Sequence, residues 1–518
     1  MSLFSRKTPQ QLALQAAFAA LLLAGQLQAI YPARPIDPIS PAKQKELPKA
    51  KKKLSHKPVK EAKQRNSPVA ATPKNDFPHA DKHCTGCSDV TVICDLPITI
   101  TKSGRYCLAG KSNTFYATDT GAAITVEADN VDIDLAGHTI NLVGNGTTAG
   151  ISATGVDNLS IHDGTIVGLN QNFGANNLVA TEIQLTAVTN ATCKNLKIVT
   201  QSSGASIGFN CINVLFSNCT FDSLTNATGI SINGQFEDVT IENCAFRATS
   251  QFSNDESISV TAPGSNLTVQ SCTFDNAATH IDVTVFFGVL TNLEISDCAF
   301  TNTVQAMNMF GPSSSQPLSN CLVRNCSISV SGSVVPQPEQ PPTAGIAFTQ
   351  CNGMLVENCD FQFTAMEAST NAGSFISFFS SLGAIVRDCS MSNTQTLFPS
   401  ALEPVVINSS QNVLIEHCVI DGNANLLTDN ANVHIQTTPP FPCSDIKVKN
   451  SIIRNNAFFG IFCDGVTNGP MAPTNIQIDN CLIDGALAAG LFFDNAAICT
   501  VKNCEISGTT GGPGISLA

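Results

Sequence analysis

Val239-Thr240-Ile241-Glu242-Asn243-Cys244-Ala245-Phe246 decides how this chain folds. Val239 and Ile241 are two residues apart and share one face of a strand. Cys244 and Phe246 are also two apart, but on the opposite parity. For all four to point the same way, the phase must shift by one residue at Glu242-Asn243. Asn and Asp enter the left-handed backbone region at low cost, so a tight corner at Asn243 accounts for the shift. The octapeptide reads as strand, corner, strand, with every apolar side chain turned inward.

From residue 156 onward the pattern occurs 13 times, for example as Leu293-Glu294-Ile295-Ser296-Asp297-Cys298-Ala299-Phe300 and Ile476-Gln477-Ile478-Asp479-Asn480-Cys481-Leu482-Ile483. The corner is Asn or Asp in 11 of 13, with Ser271 and His417 the exceptions. The next position is Cys in 10 of 13, replaced by Gly164, Leu196 and Ser451. Ten intervals from Cys219 to Cys504 cover 285 residues, a mean period of 28.5. Self-similarity at this period marks a solenoid.

A further strand precedes each unit, often opened by Gly, as in Gly229-Ile230-Ser231-Ile232, Gly460-Ile461-Phe462-Cys463 and Gly490-Leu491-Phe492-Phe493. No helical pattern intervenes. The sequence therefore predicts an all-β fold, a right-handed parallel β-helix of about 13 coils with three short strands per coil. At ~4.8 Å per strand spacing the expected rod is roughly 60 Å long. A leucine-rich repeat would need Leu-x-x-Leu-x-Leu and an outer helix, and neither is present.

The composition agrees. Charged residues are 13% of the 518, about half the usual quarter, Trp is absent, and 43% is hydrophobic. So low a charge argues against a helical bundle, which needs Glu/Lys-rich faces. A net charge of −13 excludes a generally basic nucleic-acid binder. The charge is uneven. Residues 31–83 hold 13 Lys+Arg against 5 Asp+Glu, whereas residues 84–518 hold 12 against 35.

Three regions follow. Residues 1–29 read as a signal peptide, with Arg6 and Lys7 before an apolar run from Leu12 to Gly25 and a cleavage site at Leu27-Gln28-Ala29. An uncleaved anchor is the alternative. Residues 30–83 are a Pro/Lys-rich linker that cannot bury enough apolar surface to fold. Its charge also suits attachment to an anionic surface. Residues 84–518 are the β-helix domain. No later stretch is apolar enough to cross a bilayer, so no transmembrane segment is expected in the mature chain. The protein is expected to be exported, to the periplasm, the cell surface or the medium.

The segments Ile98-Thr99-Ile100-Thr101-Lys102-Ser103-Gly104-Arg105-Tyr106-Cys107-Leu108, Asp129–Ile140 and Asn158–Ile166 complete a likeness. Over residues 92–518 the chain resembles the right-handed parallel β-helix, pectin-lyase-like superfamily, in the manner of exported bacterial β-helix repeat proteins. The resemblance implies the fold but not one activity, because the superfamily mixes lyases, hydrolases, epimerases and adhesins. Polygalacturonase-like members would show Asn-Thr-Asp, Asp-Asp, Gly-His-Gly and Arg-Ile-Lys, and none occurs here. Pectate-lyase-like members need clustered Asp for calcium and a catalytic Arg or Lys. Arg324 and Arg387 instead sit in ordinary outward positions just before a corner.

Stacked corner cysteines would lie ~4.8 Å apart, within disulfide range and compatible with export. The alternative is a small hydrophobe filling a narrow corner, which Gly164, Leu196 and Ser451 favour. A linear stack lacks the convergence a metal needs, so no metal and no cofactor are expected. Cys84-Thr85-Gly86-Cys87, near His79 and His83, reads as a disulfide-capped end of the coil, with Cys94 and Cys107 the expected pair.

Late Gly-opened strands carry unusual outward residues: His434 and Gln436, Phe462 and Asp464, Phe492 and Asp494. If these strands stack, one column is His, Phe, Phe and the other Gln, Asp, Asp. Aromatic faces suit sugar rings, which makes His434, Gln436, Phe462 and Phe492 ligand-binding candidates. Paired carboxylates suit acid–base work on a glycoside, which makes Asp464 and Asp494 catalytic candidates. Earlier rungs hold an ordinary polar ladder of Thr154, Asn233, Thr261 and Asn408. The function expected first is a binding or adhesion scaffold for carbohydrate or another cell-envelope polymer. A polysaccharide-degrading hydrolase or lyase and a structural spacer are the alternatives.

Overall fold

A computed structural model describes residues 90–517 apart from 111, 118–120, 144–146, 169–180, 224–226, 249–254, 314–316, 332–344, 366–372, 394–402, 423–430, 440, 456–457 and 466–471. The expected signal peptide, linker and Cys84/Cys87 motif lie outside the described residues.

Each coil has three walls. In one coil these are the strands Phe236–Glu242, Ala245–Ala248 and Glu256–Val260. Every wall pairs in parallel with the next coil: Val239 opposite Leu267, Phe246 opposite Phe274, Ile258 opposite Ile281. The first two walls merge into one 29-stranded sheet folded at the corner, and the third is a separate 16-stranded sheet. The corner is therefore a bend within a sheet rather than a gap between sheets. In Asp157–Gly168 and Thr189–Thr200 the strand runs through it unbroken. Sixteen rungs exceed the 13 expected because three earlier coils, opened by Val90–Ile93, Gly104–Leu108 and Val131–Asp134, lack the Asn-Cys signature. Among the described residues there is no helix, and so none long and apolar enough to cross a membrane.

All 13 corner residues have positive φ, between 51° and 58°, including Ser271 and His417. This is the phase shift that the parity of Val239, Ile241, Cys244 and Phe246 requires, and all four side chains are buried. A second left-handed column, which the periodic pattern did not disclose, opens the first wall at Asn158, Asn190, Asn213, Asp238, Asn266, Asn292 and Asn320. The side chains of this column hold one another: Asn213 donates to Asn190 at 2.7 Å and Asn292 to Asn266 at 2.9 Å.

Inside, Phe221, Phe246, Phe274 and Phe300 stack with ring centroids 4.6–5.0 Å apart and planes within 6°. Each such ring contributes about 1.5–3 kcal/mol by burial. The Gly that opens the third wall answers to this stack. A Cβ on Gly229 would come within 2.5 Å of the Ser257 carbonyl oxygen and 2.9 Å of the Phe246 ring.

The corner cysteines are free thiols, not disulfides. Each of the ten donates weakly to the carbonyl two residues before it, at 3.1–3.4 Å. Ser451 Oγ makes the same bond to Lys449 O at 2.8 Å. The position thus takes a small buried side chain, and a thiol or hydroxyl there adds a weak bond to a carbonyl that already accepts the corner N–H of the preceding coil, as Glu242 O does from Asn218. Burial raises the thiol pKa to about 11 at the corner Cys481, and to about 12 at Cys193, an inward residue of the first wall. The expected Cys94–Cys107 bond is not formed. Cys107 faces Val92 in the strand register, two residues short of Cys94, which is an exposed free thiol past the end of Val90–Ile93.

Asn243→Val should destabilise by ~1–3 kcal/mol, the usual cost of a strained left-handed residue, because a β-branched side chain resists positive φ. Asn243→Gly should cost about 1 kcal/mol or less, and Thr240→Val, on the outward face, should be near neutral. Denaturant unfolding midpoints of the three variants check the order. Equal effects of Val at 240 and 243 would contradict the corner.

Candidate functional site

Strands Ala431–Gln436, Phe459–Asp464 and Ala489–Asp494 are consecutive rungs of the third wall. Their register sets His434 opposite Phe462 and Gln436 opposite Asp464. It then sets Phe462 opposite Phe492 and Asp464 opposite Asp494. Both columns read from the sequence therefore exist as geometry. The His434 and Phe462 rings lie 4.9 Å apart and 20° from parallel, and Phe462 and Phe492 are 5.3 Å apart. Earlier rungs of the first column carry Ser231, Ser259, Asp282 and Asn308, so the aromatic character is local.

Two further residues complete the site. Phe459 shares its parity with the inward Ile461, yet it packs outside against Phe462 at 5.0 Å and Phe492 at 4.8 Å. The same position is polar in Thr228, Glu256, Thr279 and Gln305, and that polar column is the sequence signal for its outward side. Glu403 lies outside the repeat pattern and left no signal. Its Oε1 accepts a hydrogen bond from His434 Nδ1 at 2.9 Å, and the two side chains are each only 12% exposed. A carboxylate can only accept, so Nδ1 carries the proton and the imidazole is fixed in orientation. His434 Nε2 is buried with no partner among the described residues.

Around these residues is an open pocket of about 700 Å³, lined by His434, Phe459, Phe462, Phe492, Asp464 and Asp494. Ser516 and Pro513 of the last coil close one side. Burial pushes the Asp464 carboxyl above the usual carboxylate range; the nearby His434 opposes this and Asp494 adds to it.

A second polar cluster lies at the first corner column. His162 bonds Asp163 through Nδ1 at 2.9 Å and Asp132 through Nε2 at 3.0 Å, with Asp134 close by. Both ring nitrogens are thus engaged by carboxylates. Arg324 and Arg387 are outward, as their positions before the corner implied, and pair with Glu294 and Glu357 of the preceding coils.

The chain belongs to the right-handed β-helix family: the family model described as "Right handed beta helix region" matches residues 181–361 and 283–470, more than half its length. No curated protein sequence matches it. Among solved structures it is similar to the tailspike protein of E. coli bacteriophage HK620 in complex with pentasaccharide, at 11% identity and a TM-score of 0.46, covering 80% of this chain and 74% of that one. A mutant of that tailspike in complex with hexasaccharide scores 0.46 at 12% identity, covering 80% and 73%. The catalytic domain of a mutant GH87 alpha-1,3-glucanase in complex with nigerose scores 0.35 at 13% identity, covering 80% and 63%.

The Asp464 environment has a testable sign. In a carbon-detected NMR titration its carboxyl should titrate above the ordinary value of 3.8. Asp494→Asn should bring the midpoint down and His434→Gln should move it further up. A carboxyl with a raised folded-state pKa favours the fold below its unfolded pKa, and that contribution is lost as pH rises through the folded value. A midpoint at or below the ordinary value, or shifts of the opposite sign, would refute the arrangement.

Proposed function

We propose that this protein is an exported saccharide-binding β-helix, with its binding site in the pocket formed by His434, Phe459, Phe462 and Phe492. The observation that carries the reading is the in-register pairing of two phenylalanines beside two aspartates on an open pocket floor. Apolar faces of sugar rings pack on such aromatics, and carboxylates and imidazole accept bonds from sugar hydroxyls. Glu403 occupies Nδ1 of His434, so the unpartnered Nε2 is the acceptor the imidazole has left. The predicted leader accounts for export to a compartment where glycans are met, and the β-helix is a rigid carrier for the site.

A second reading, glycoside hydrolysis, is favoured by one observation: the raised pKa of Asp464 next to Asp494. A protonated carboxyl beside an ionised one is the division of labour that glycosidic cleavage uses.

On an array of bacterial and plant glycans, the wild-type protein should bind a defined subset. Phe492→Ala should weaken binding at least tenfold with little change in thermal unfolding; Phe462→Ala should weaken it as much and, because that ring is only 8% exposed, also lower the unfolding midpoint. Asp464→Asn should leave binding within a few-fold. If the site is hydrolytic, that variant alone should abolish release of reducing ends from the bound glycan. Retention of full binding by both Phe variants would remove this pocket as the site.

A further inference from the structure

We propose a second subsite, for one uncharged sugar ring, in the turn between the third and first walls just before the Phe462–Phe492 pocket. The ligand would then be a neutral oligosaccharide spanning both. This rests on the saccharide reading of the first pocket and extends it to substrate class.

Third-wall strands Ile346–Thr349, Ile376–Phe379 and Val405–Asn408 end in left-handed turns at Gln350, Ser380 and Ser409, with φ of 55°, 50° and 50°. These turns line a cleft of about 180 Å³ together with Leu382, Gln411 and Phe441. At ~30 Å³ per water molecule the cleft holds about six waters, which suits one ring rather than a chain.

The cleft is built by an insertion. Two coils earlier the chain passes from Phe379 to Leu382 through Ser380 and Ser381 alone; here residues 437–443 intervene. Ser409 clamps that insertion. Its Oγ donates to Thr438 O at 2.8 Å and accepts from Thr438 N at 2.9 Å. Phe441, between Pro442 and a proline-rich approach, then bonds Thr438 O through its own N–H at 3.4 Å. The result is a fixed aromatic ring held 44% exposed over the earlier coils, beside Leu382 at 42%. Phe441 and Leu382 together offer an apolar face of the kind a sugar ring packs on. The rest of the lining is mostly amides and hydroxyls, with Pro317 and Cys351, and Gln350 Oε1 is buried with no partner among the described residues. That oxygen is an acceptor waiting for a donor, and a sugar hydroxyl supplies one.

Charge selects the class. Among the described residues no ionised group lines this cleft, and the neighbouring pocket presents Asp464 and Asp494. Residues 84–518 carry 35 acidic against 12 basic side chains. A polyuronate or sulfated glycan would meet repulsion throughout, whereas a neutral glycan would not. The two sites are about three strand spacings apart, roughly 14 Å along the axis, so a monosaccharide cannot reach both. Asn408 and Gln436, paired in register, lie between them and lead to Asp464.

Isothermal titration calorimetry tests this with neutral glucan, xylan and mannan oligosaccharides of two and six residues, and with hexagalacturonate. A neutral hexasaccharide should bind more tightly than its disaccharide. Phe441→Ala and Gln350→Asn should each cost about tenfold in hexasaccharide affinity and leave disaccharide affinity unchanged, while Phe462→Ala weakens both. Phe441 is surface-exposed, so its variant should keep the wild-type unfolding midpoint. If Phe462→Ala weakens binding but Phe441→Ala and Gln350→Asn do not, the second subsite is wrong and the first pocket stands. Binding of hexagalacturonate as tight as that of the neutral chains overturns the neutral class. Failure of every oligosaccharide to bind overturns both sites.

Discussion

One backbone constraint underlies the 13 coils that carry the repeat: a residue held in the left-handed region at the corner between the first two walls. Without it, the pairs Val239/Ile241 and Cys244/Phe246 could not face the same interior. With it, each coil turns four apolar side chains inward and the next coil repeats the arrangement in register. The short polar side chains that tolerate this conformation are also the ones that can bond along the axis, as Asn358 does to Asn325 at 2.7 Å. The neighbouring position points into a narrow part of the interior, where Cys or Ser451 fits and adds a weak bond to the carbonyl two residues before it.

Register carries that order to the surface. Because each third-wall strand pairs residue for residue with the next, any outward position becomes a column, and a change of residue type over three rungs becomes a patch. Serines and amides along most of the wall give way to His434, Phe462 and Phe492, with Gln436, Asp464 and Asp494 beside them. No loop is needed to assemble the floor of the pocket. The walls make a rigid platform, which suits a ligand that is itself extended and repetitive.

What could be read from the sequence was whatever repeats. The corner, the inward quartet, the Gly-opened strand and both site columns followed from periodicity and parity alone. The misses fall where the repeat is broken. Phe459 has inward parity but packs outside with Phe462 and Phe492, at the start of its strand. Glu403, outside any repeat position, could be joined to His434 only by the fold. The clamp of Ser409 on Thr438 depends on an insertion that looks in sequence like a proline-rich loop. The Cys94–Cys107 expectation erred by two residues of register, which spacing in the chain does not reveal.

The central claim is that in-register stacking on the third wall creates a saccharide site at Phe462 and Phe492. A crystal structure of the protein soaked with a neutral hexasaccharide tests it most directly. The account predicts a sugar ring lying flat against these two phenylalanines, with a hydroxyl on His434 Nε2. A chain bound on the first or second wall, away from both rings, would contradict it.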